Sequence, residues 1–176
     1  EGIIKFKTKH HCHGSIELGV DKFHCHKRVG HGAMDLNKAL VNSCDVFFYN
    51  IGVELGIDRI AKYAEILGLG KKLGIKLNRE DSGLIPTHKW QKQQTGRPWQ
   101  LGDIPPVAIG QGANLLTPLQ MVSLYATLAT KGKIWKPFLV KKVSNHLGKT
   151  IYQNTPVLIK NVTEIKQEHF EYINKS

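Results

Sequence analysis

Three cysteines and one histidine in the first quarter of the chain have the residue types that bind a metal ion. Cys12, Cys25, His31 and Cys44 have 12, 5 and 12 residues between them. Three thiolates and one imidazole make a closed tetrahedral ligand set of the kind that structural zinc prefers. The spacing is not that of a zinc finger, but the ligand types are right. These four residues are the predicted ligands of a structural Zn²⁺ ion.

The same residues allow two other interpretations. Cys12 and Cys25 could form a disulfide in an oxidising compartment and leave Cys44 as a buried thiol. The histidines, six of which lie within residues 1–31, could be a solvated basic stretch. Four of them flank the cysteines and are reserve ligand candidates: His11, His13, His24 and His26.

Ser43 and Asp45 lie on either side of Cys44, at the end of a helical pattern. The apolar positions before Ser43 follow i, i+3, i+4, i+7 spacing and predict a helix near residues 34–43. A Ser-x-Asp sequence by itself is most often a helix cap. A serine within hydrogen-bond reach of a base can instead relay a proton. The residues flanking the motif must therefore decide its role.

The chain after this motif is predicted to be mainly helical up to residue 68. Residues 46–55 are too uniformly apolar for a surface helix and predict a buried one. Asp58 is a natural N-cap for a helix near residues 58–68. Residues 70–112, rich in Gly and Pro, predict a long ordered connection with short elements, and residues 1–31 are expected to be irregular.

The last third of the chain is predicted to contain a helix, a hairpin and a second helix. Thr117 and Pro118 are a cap and a first helical residue, and they predict a helix near residues 117–131. An antiparallel hairpin is expected near residues 134–153. The buried stripe of the first helix is predicted to be Leu119, Val122, Tyr125, Ala126 and Ala129. The final helix is marked by Val162, Ile165, His169 and Ile173.

The segment from His31 to Tyr49, which contains Ser43-Cys44-Asp45, resembles the middle of the transpeptidase domain in class B penicillin-binding proteins. Within that family it is most similar to penicillin-binding protein 2 of the rod-shape system. The resemblance covers about residues 12–140, in blocks that follow the family's order. The further blocks are Leu69-Gly70, Ser82-Gly83-Leu84-Ile85-Pro86, Trp99 with Gly102-Asp103, Ala108-Ile109-Gly110-Gln111-Gly112, and Thr117-Pro118-Leu119-Gln120-Met121.

The resemblance implies a fold class, an activity and a site. The fold would be α/β, an α-rich fragment of the penicillin-recognising fold with part of its antiparallel sheet. The activity would be that of a serine D,D-transpeptidase, acylated by stem peptides and by β-lactams. Ser43 would hydrogen-bond the catalytic lysine and help to carry a proton to the leaving amine. Asp45, where relatives have Asn, would line the cleft. Some relatives carry a structural zinc beside this motif, with ligands that match His31 and Cys44 most clearly.

Two motifs of the family are absent from the sequence. It contains no Ser-x-x-Lys and no Lys-Thr-Gly, and Gly148-Lys149-Thr150 is a scrambled version at a predicted turn. The resemblance puts the first motif before residue 1 and the third after residue 176. We therefore expect residues 1–176 to be a partial transpeptidase domain that is inactive alone.

The formal charge of +11 is spread from Lys5 to Lys175 without an interleaved aromatic ladder, which disfavours nucleic-acid binding. No apolar run approaches the roughly 20 residues that span a bilayer. The resemblance implies a periplasmic domain of an inner-membrane-anchored bacterial protein. Its implied partners are peptidoglycan stem peptides, β-lactams, a rod-system scaffold protein and a membrane glycosyltransferase.

Two other functions remain open from the sequence. One is a penicillin-recognising β-lactamase or sensor on the same fold, since the blocks around Gly110 and Thr117 occur in both groups. The blocks at His31-Gly32 and Ser82-Gly83-Leu84-Ile85-Pro86 favour the wall enzyme. The other is a zinc-organised binding module with no catalysis of its own.

Overall fold

The computed structural model describes residues 4–176, which form two compact units. The first unit contains residues 4–63 and 85–114 together with Ser176. The second contains Ala64–Leu84 and Leu115–Lys175. Among the described residues, no helix is both long enough and apolar enough to cross a membrane.

The first unit begins with four short strands: β1 (His10–Cys12), β2 (Ser15–Leu18), β3 (Asp21–His24) and β4 (Gly32–Met34). Strands β1 and β4 pair antiparallel, and so do β2 and β3. The expectation that residues 1–31 are irregular was wrong for this stretch. Strands of three or four residues, rich in histidine, are too short for alternation of polar and apolar residues to predict them.

Five helices complete the first unit, with α3 running across its boundary. They are α1 (Leu36–Val41), α2 (Asp45–Leu55), α3 (Ile57–Ile66), α4 (His88–Thr95) and α5 (Ile104–Ala108). The predicted helices near residues 34–43, 46–55 and 58–68 are therefore confirmed. The carboxylate of Asp35 caps α1 by accepting from the Lys38 N–H at 2.9 Å.

Asp58 does not have the predicted N-cap role. Helix α3 already begins at Ile57, so Asp58 lies within its first turn. Its carboxylate accepts from the backbone N–H of His88 at 3.2 Å and lies 2.9 Å from Nδ1 of the same residue. The local sequence could not identify His88 as the partner of Asp58. Its nitrogen atoms contact the carboxylate oxygens that an N-cap would use to accept from its own helix.

Helix α2 is the centre of the first unit's core, as its apolar sequence predicted. Phe47 is fully buried, and the surrounding core contains both β-strand and helix residues. The cysteines belong to this same cluster. Its buried members are Cys12, Cys25, Met34, Ala39, Cys44, Val46, Phe47, Tyr49 and Ile51.

The second unit contains α6 (Pro118–Ala129), which Thr117 caps through a reciprocal pair of hydrogen bonds with Gln120. The predicted helix near residues 117–131 is confirmed, but its predicted buried stripe was wrong. Val122 and Tyr125 are 66% and 67% exposed, whereas Gln120 and Thr127 are buried. A prediction based on the spacing of apolar residues leaves out a glutamine that is buried because its polar atoms have hydrogen-bond partners.

The sheet part of the second unit differs from one simple hairpin. Strand β5 (Lys133–Trp135) pairs with β8 (Leu158–Asn161), whereas β6 (Lys142–Ser144) pairs with β7 (Thr150–Gln153). The predicted turn at residues 145–148 is confirmed inside the β6–β7 hairpin. The predicted strand over residues 134–143 is interrupted after Trp135, where Pro137 lacks the N–H that a ladder needs.

The final helix, α7, spans Gln167–Lys175. It begins later than the predicted pattern, because Val162 and Ile165 precede it. Val162 is nevertheless buried, in a small core with Ile134 and Phe170. The mixture of helices and antiparallel strands agrees with the expected α-rich α/β fold class.

Candidate metal centre and active-site motif

The four predicted metal ligands lie together in the first unit. Cys12 ends β1, Cys25 follows β3, His31 precedes β4, and Cys44 is the N-cap residue of α2. One ligand atom from each lies within 4.8 Å of all the others. The three cysteines are free and almost fully buried, with 2%, 1% and 0% of their surfaces exposed. The fold thus converts a widely spaced set into one cluster.

The distances inside this cluster suit a tetrahedral ion. Nδ1 of His31 lies 3.5 Å from Sγ of Cys25 and 3.8 Å from Sγ of Cys12. Zinc bonds of about 2.0–2.3 Å at tetrahedral angles place neighbouring ligand atoms about 3.5–3.8 Å apart. The imidazole nitrogen therefore already lies at a separation from two of the sulfurs that a bound zinc ion would require.

The pKa values of two thiols in the cluster are shifted in different directions. Burial raises the pKa of Cys44 to about 12. Burial also opposes ionisation of Cys12, but hydrogen bonds from the backbone of Gly14 and His31 lower its pKa overall. Burial and the nearby positive charges of His26 and Lys27 lower the pKa of His31, which favours the neutral imidazole that binds metals.

Two glycines allow the loop after β3 to approach β1 closely. A Cβ atom on Gly14 would lie 1.9 Å from the carbonyl oxygen of Arg28, and one on Gly30 would lie 2.2 Å from that of Cys12. Both glycines have positive φ, at 92° and 83°. The N–H of Cys25 donates to the Gly14 carbonyl at 2.9 Å across this approach. Sequence reasoning missed both glycines, since their role depends on a contact between distant segments.

Ser43 lies at the turn between α1 and α2, directly before the buried Cys44. Its φ of 49° is left-handed, which is uncommon for a residue other than glycine. The residue is exposed, while the next one is completely buried. The N-cap of α2 is Cys44, not Ser43. The geometry therefore gives no support to the interpretation of Ser43 as a cap.

Asp45 is the first residue of α2 and is tied to the loop that carries Cys25. Its Oδ2 accepts the backbone N–H of His26 at 2.8 Å and lies 3.4 Å from Nδ1 of the same histidine. The Asp45 side chain is 23% exposed. Sequence reasoning named His26 only as a reserve metal ligand and missed this pairing.

The other reserve candidates lie outside the four-residue cluster. The rings of His11 and His13 stack on each other with centroids 4.0 Å apart, and both residues are exposed. The backbone carbonyl of His24 accepts from the Tyr49 hydroxyl at 3.3 Å. Among the described residues, His26 is the one reserve candidate in a possible metal-binding group, together with Cys25 and Asp45.

The structure is similar to solved structures of penicillin-binding proteins. The model of the penicillin binding protein transpeptidase domain matches residues 1–175. The chain therefore belongs to the penicillin-binding protein transpeptidase family, as its sequence blocks predicted.

Individual relatives are consistent with this membership. The chain is 39% identical over 130 residues to the peptidoglycan D,D-transpeptidase MrdA of Salmonella typhimurium, covering 74% of this chain and 20% of the relative. The Helicobacter pylori penicillin-binding protein PBP2, solved in complex with MreC, matches 97% of this chain and 30% of its own, with a TM-score of 0.84 and 30% identity. A structure described as a peptidoglycan synthase complex that coordinates polymerization and crosslinking matches with a TM-score of 0.77 and 30% identity, over 97% of this chain and 28% of its own. The chain thus spans about a fifth of the length of its curated relatives.

Proposed function

We propose that this chain is the central part of the transpeptidase domain of an enzyme that cross-links peptidoglycan stem peptides during cell elongation. One observation carries the proposal. Ser43 is exposed at a left-handed turn, inside a segment that the family model matches. An exposed hydroxyl at a fixed turn can reach groups supplied by another part of the protein, which a hydroxyl bonded within a cap cannot do.

In this proposal Ser43 acts as an acid–base relay and not as the nucleophile. The acylating serine and its lysine come from a Ser-x-x-Lys motif elsewhere in the longer protein, because this sequence has none. The Ser43 hydroxyl accepts a hydrogen bond from that lysine and passes a proton toward the leaving amine. A hydroxyl can do both, since it has one proton to donate and two lone pairs.

We further propose that Cys12, Cys25, His31 and Cys44 hold a structural Zn²⁺ ion. The ligand types and the separations of 3.5 and 3.8 Å support this assignment. Bound zinc would supply a cross-link between segments and no step of the reaction. This cross-link would affect the active-site motif, because Cys44 lies between Ser43 and Asp45. Fixing the Cys44 sulfur would also fix both neighbours on the turn.

The partners and the location are proposed from the relatives. The Helicobacter pylori protein is in complex with MreC, which supports a scaffold protein of the rod system as a partner. The peptidoglycan synthase complex supports a partner that polymerises the glycan, here a membrane glycosyltransferase. Stem peptides and β-lactams would be the acylating ligands. An enzyme with these partners would place this domain in the periplasm, attached to the inner membrane by a segment outside residues 1–176.

The test is acylation of the complete enzyme by a fluorescent penicillin. Ser43→Ala should slow acylation by about 10²-fold, the usual loss for an acid–base relay. Ser43→Gly should slow it similarly while relieving the left-handed backbone, so that backbone strain is separated from loss of the hydroxyl. Ser144→Ala, at an exposed serine of β6, is the matched control and should leave the rate unchanged. Labelling of both Ser43 variants at the wild-type rate would contradict the proposal.

A further inference from the structure

We infer that His26 is a positioning residue for Asp45, and that it connects the cysteine cluster to the active-site motif. This inference rests on the proposed function, because it assigns Asp45 to the transpeptidase cleft. Nothing in the motif itself identifies His26, which is 17 positions before Ser43 and lies on a different segment. The contacts made by its backbone and its ring identify it.

Two nitrogen atoms of His26 lie near one oxygen of Asp45. The backbone N–H lies 2.8 Å from Oδ2, and the ring atom Nδ1 lies 3.4 Å from the same oxygen. The backbone N–H donates to this oxygen, and the ring is close enough to add an electrostatic contact. Hydrogen bonds to a charged acceptor are stronger than neutral ones and fix its rotation. The carboxylate of Asp45 is thereby held in one orientation at the start of α2.

The ring of His26 is itself held by the cluster. Its Nδ1 lies 3.9 Å from Sγ of Cys25, and its ring centroid lies 5.1 Å from that of His31. Because Nδ1 carries at most one proton, it can donate to only one acceptor at a time. Oδ2 of Asp45 is the closer of the two neighbours, at 3.4 Å, and lies within ion-pair distance of the ring. The ring therefore contacts two cluster residues and also lies beside Asp45 of the motif.

This arrangement gives the carboxylate of Asp45 a support from outside its own helix. An ionised carboxylate accepts but cannot donate, so it needs donors around it to stay oriented. The His26 backbone supplies one donor irrespective of side chain, and the imidazole adds a polar contact with the same oxygen. Replacing the ring should loosen Asp45 without removing it. The effect should therefore appear in the chemical step more than in the fold.

The experiment compares His26→Ala and His26→Gln in the complete enzyme. The limiting acylation rate and the apparent affinity for a fluorescent penicillin are measured separately. His26→Ala should lower the limiting rate by about tenfold, the size expected for one charge-assisted hydrogen bond, with little change in affinity. His26→Gln keeps an N–H donor and should recover most of that loss. His11→Ala, at an exposed histidine outside the four-residue cluster, is the control and should match the wild type.

A double-mutant cycle with Asp45→Asn shows whether His26 acts through Asp45. If it does, His26→Ala should cause less than a twofold further loss in the Asp45→Asn background. Equal losses in both backgrounds, a wild-type rate for His26→Ala, or a large fall in its melting temperature would overturn the inference. Ser43→Ala, measured in parallel, separates the two ideas. If Ser43→Ala is slow while His26→Ala is not, only the inference fails; if Ser43→Ala is fast, the proposed function fails.

Discussion

The side-chain amide of Gln120 donates to the backbone carbonyl of Ser82 at 2.8 Å, although the two residues are 38 positions apart. The same nitrogen donates to the carbonyl of Lys71 at 2.9 Å. Its oxygen accepts from the N–H of Thr117 at 2.9 Å. Gln120 is 1% exposed, so one buried side chain joins three segments of the second unit.

Gln120→Ala should therefore destabilise the protein by about 3 kcal/mol, since it removes three hydrogen bonds of a buried side chain and leaves two backbone carbonyls and one N–H without that partner. Chemical denaturation of the complete enzyme would measure the change. Gln94→Ala, at an exposed position of α4, is the matched control and should change the stability by less than about 0.5 kcal/mol. Similar effects of the two substitutions would show that the hydrogen bonds of Gln120 contribute little.

Gln120 also shows where prediction from sequence stops. The Thr117-Pro118 cap predicts the start of α6 because capping is local and depends on two adjacent residues. The buried face of α6 could not be predicted from apolar spacing, since burial of Gln120 depends on carbonyls 38 and 49 residues away. The same limit applies to β5, whose partner β8 lies beyond the β6–β7 hairpin.

The metal proposal predicts about one zinc ion per chain in the purified complete enzyme, measured by elemental analysis. Cys25→Ser should release the zinc and lower stability by several kcal/mol, because structural zinc contributes about 10 kcal/mol or more to folding. His13→Ala, at an exposed histidine near the cluster, should retain the ion. Absence of zinc together with freely titratable thiols would remove the support for this proposal. A Cys12–Cys25 disulfide found by mass spectrometry would favour the alternative.

The candidate ligands could be predicted from their residue types, but the glycines and hydrogen bonds that position them could not. Cysteine and histidine are recognisable because few other side chains bind zinc. The close backbone approach at Gly14 and Gly30 was not, because glycine has many reasons to occur in a loop. The pairing of His26 with Asp45 was not predictable for the related reason that it joins two segments 19 positions apart.

Gly30→Ala should therefore damage the cluster more than an ordinary loop substitution would. Its new methyl group would lie 2.2 Å from the carbonyl oxygen of Cys12, so β1 or the loop must move. Gly19→Ala is the matched control: its φ of 66° is also left-handed, but no atom lies within 4 Å of the added carbon. We expect a loss of about 1 kcal/mol for Gly19→Ala and at least twice that for Gly30→Ala. Thermal unfolding of the two variants would measure the difference, and equal losses would mean that the close approach can relax freely.

The ion pair between Arg97 and Asp103 predicts a pH dependence of stability. Nη1 and Nη2 of Arg97 lie 2.7 and 2.8 Å from the two carboxylate oxygens, a bidentate geometry. The hydrogen bonds from Arg97 hold the pKa of Asp103 below its ordinary value, and the N–H of Gln100 adds to the effect. A carboxyl group with a lowered pKa in the folded state stabilises the fold above its unfolded pKa of about 3.9. This contribution is lost as the pH falls through the lower, folded-state pKa.

Asp103→Asn should consequently lower stability at pH 7 by up to about 1 kcal/mol, a limit set by the partial exposure of Arg97. The difference from the wild type should shrink as the pH falls below about 4 and vanish once Asp103 is protonated in both states. Urea denaturation at a series of pH values would measure it. Glu164→Gln, which removes the charge from the exposed pair with Lys160, is the control and should have a smaller effect at pH 7. A stability difference that stays constant from pH 7 to pH 2 would mean that Asp103 acts through its shape and not through its charge.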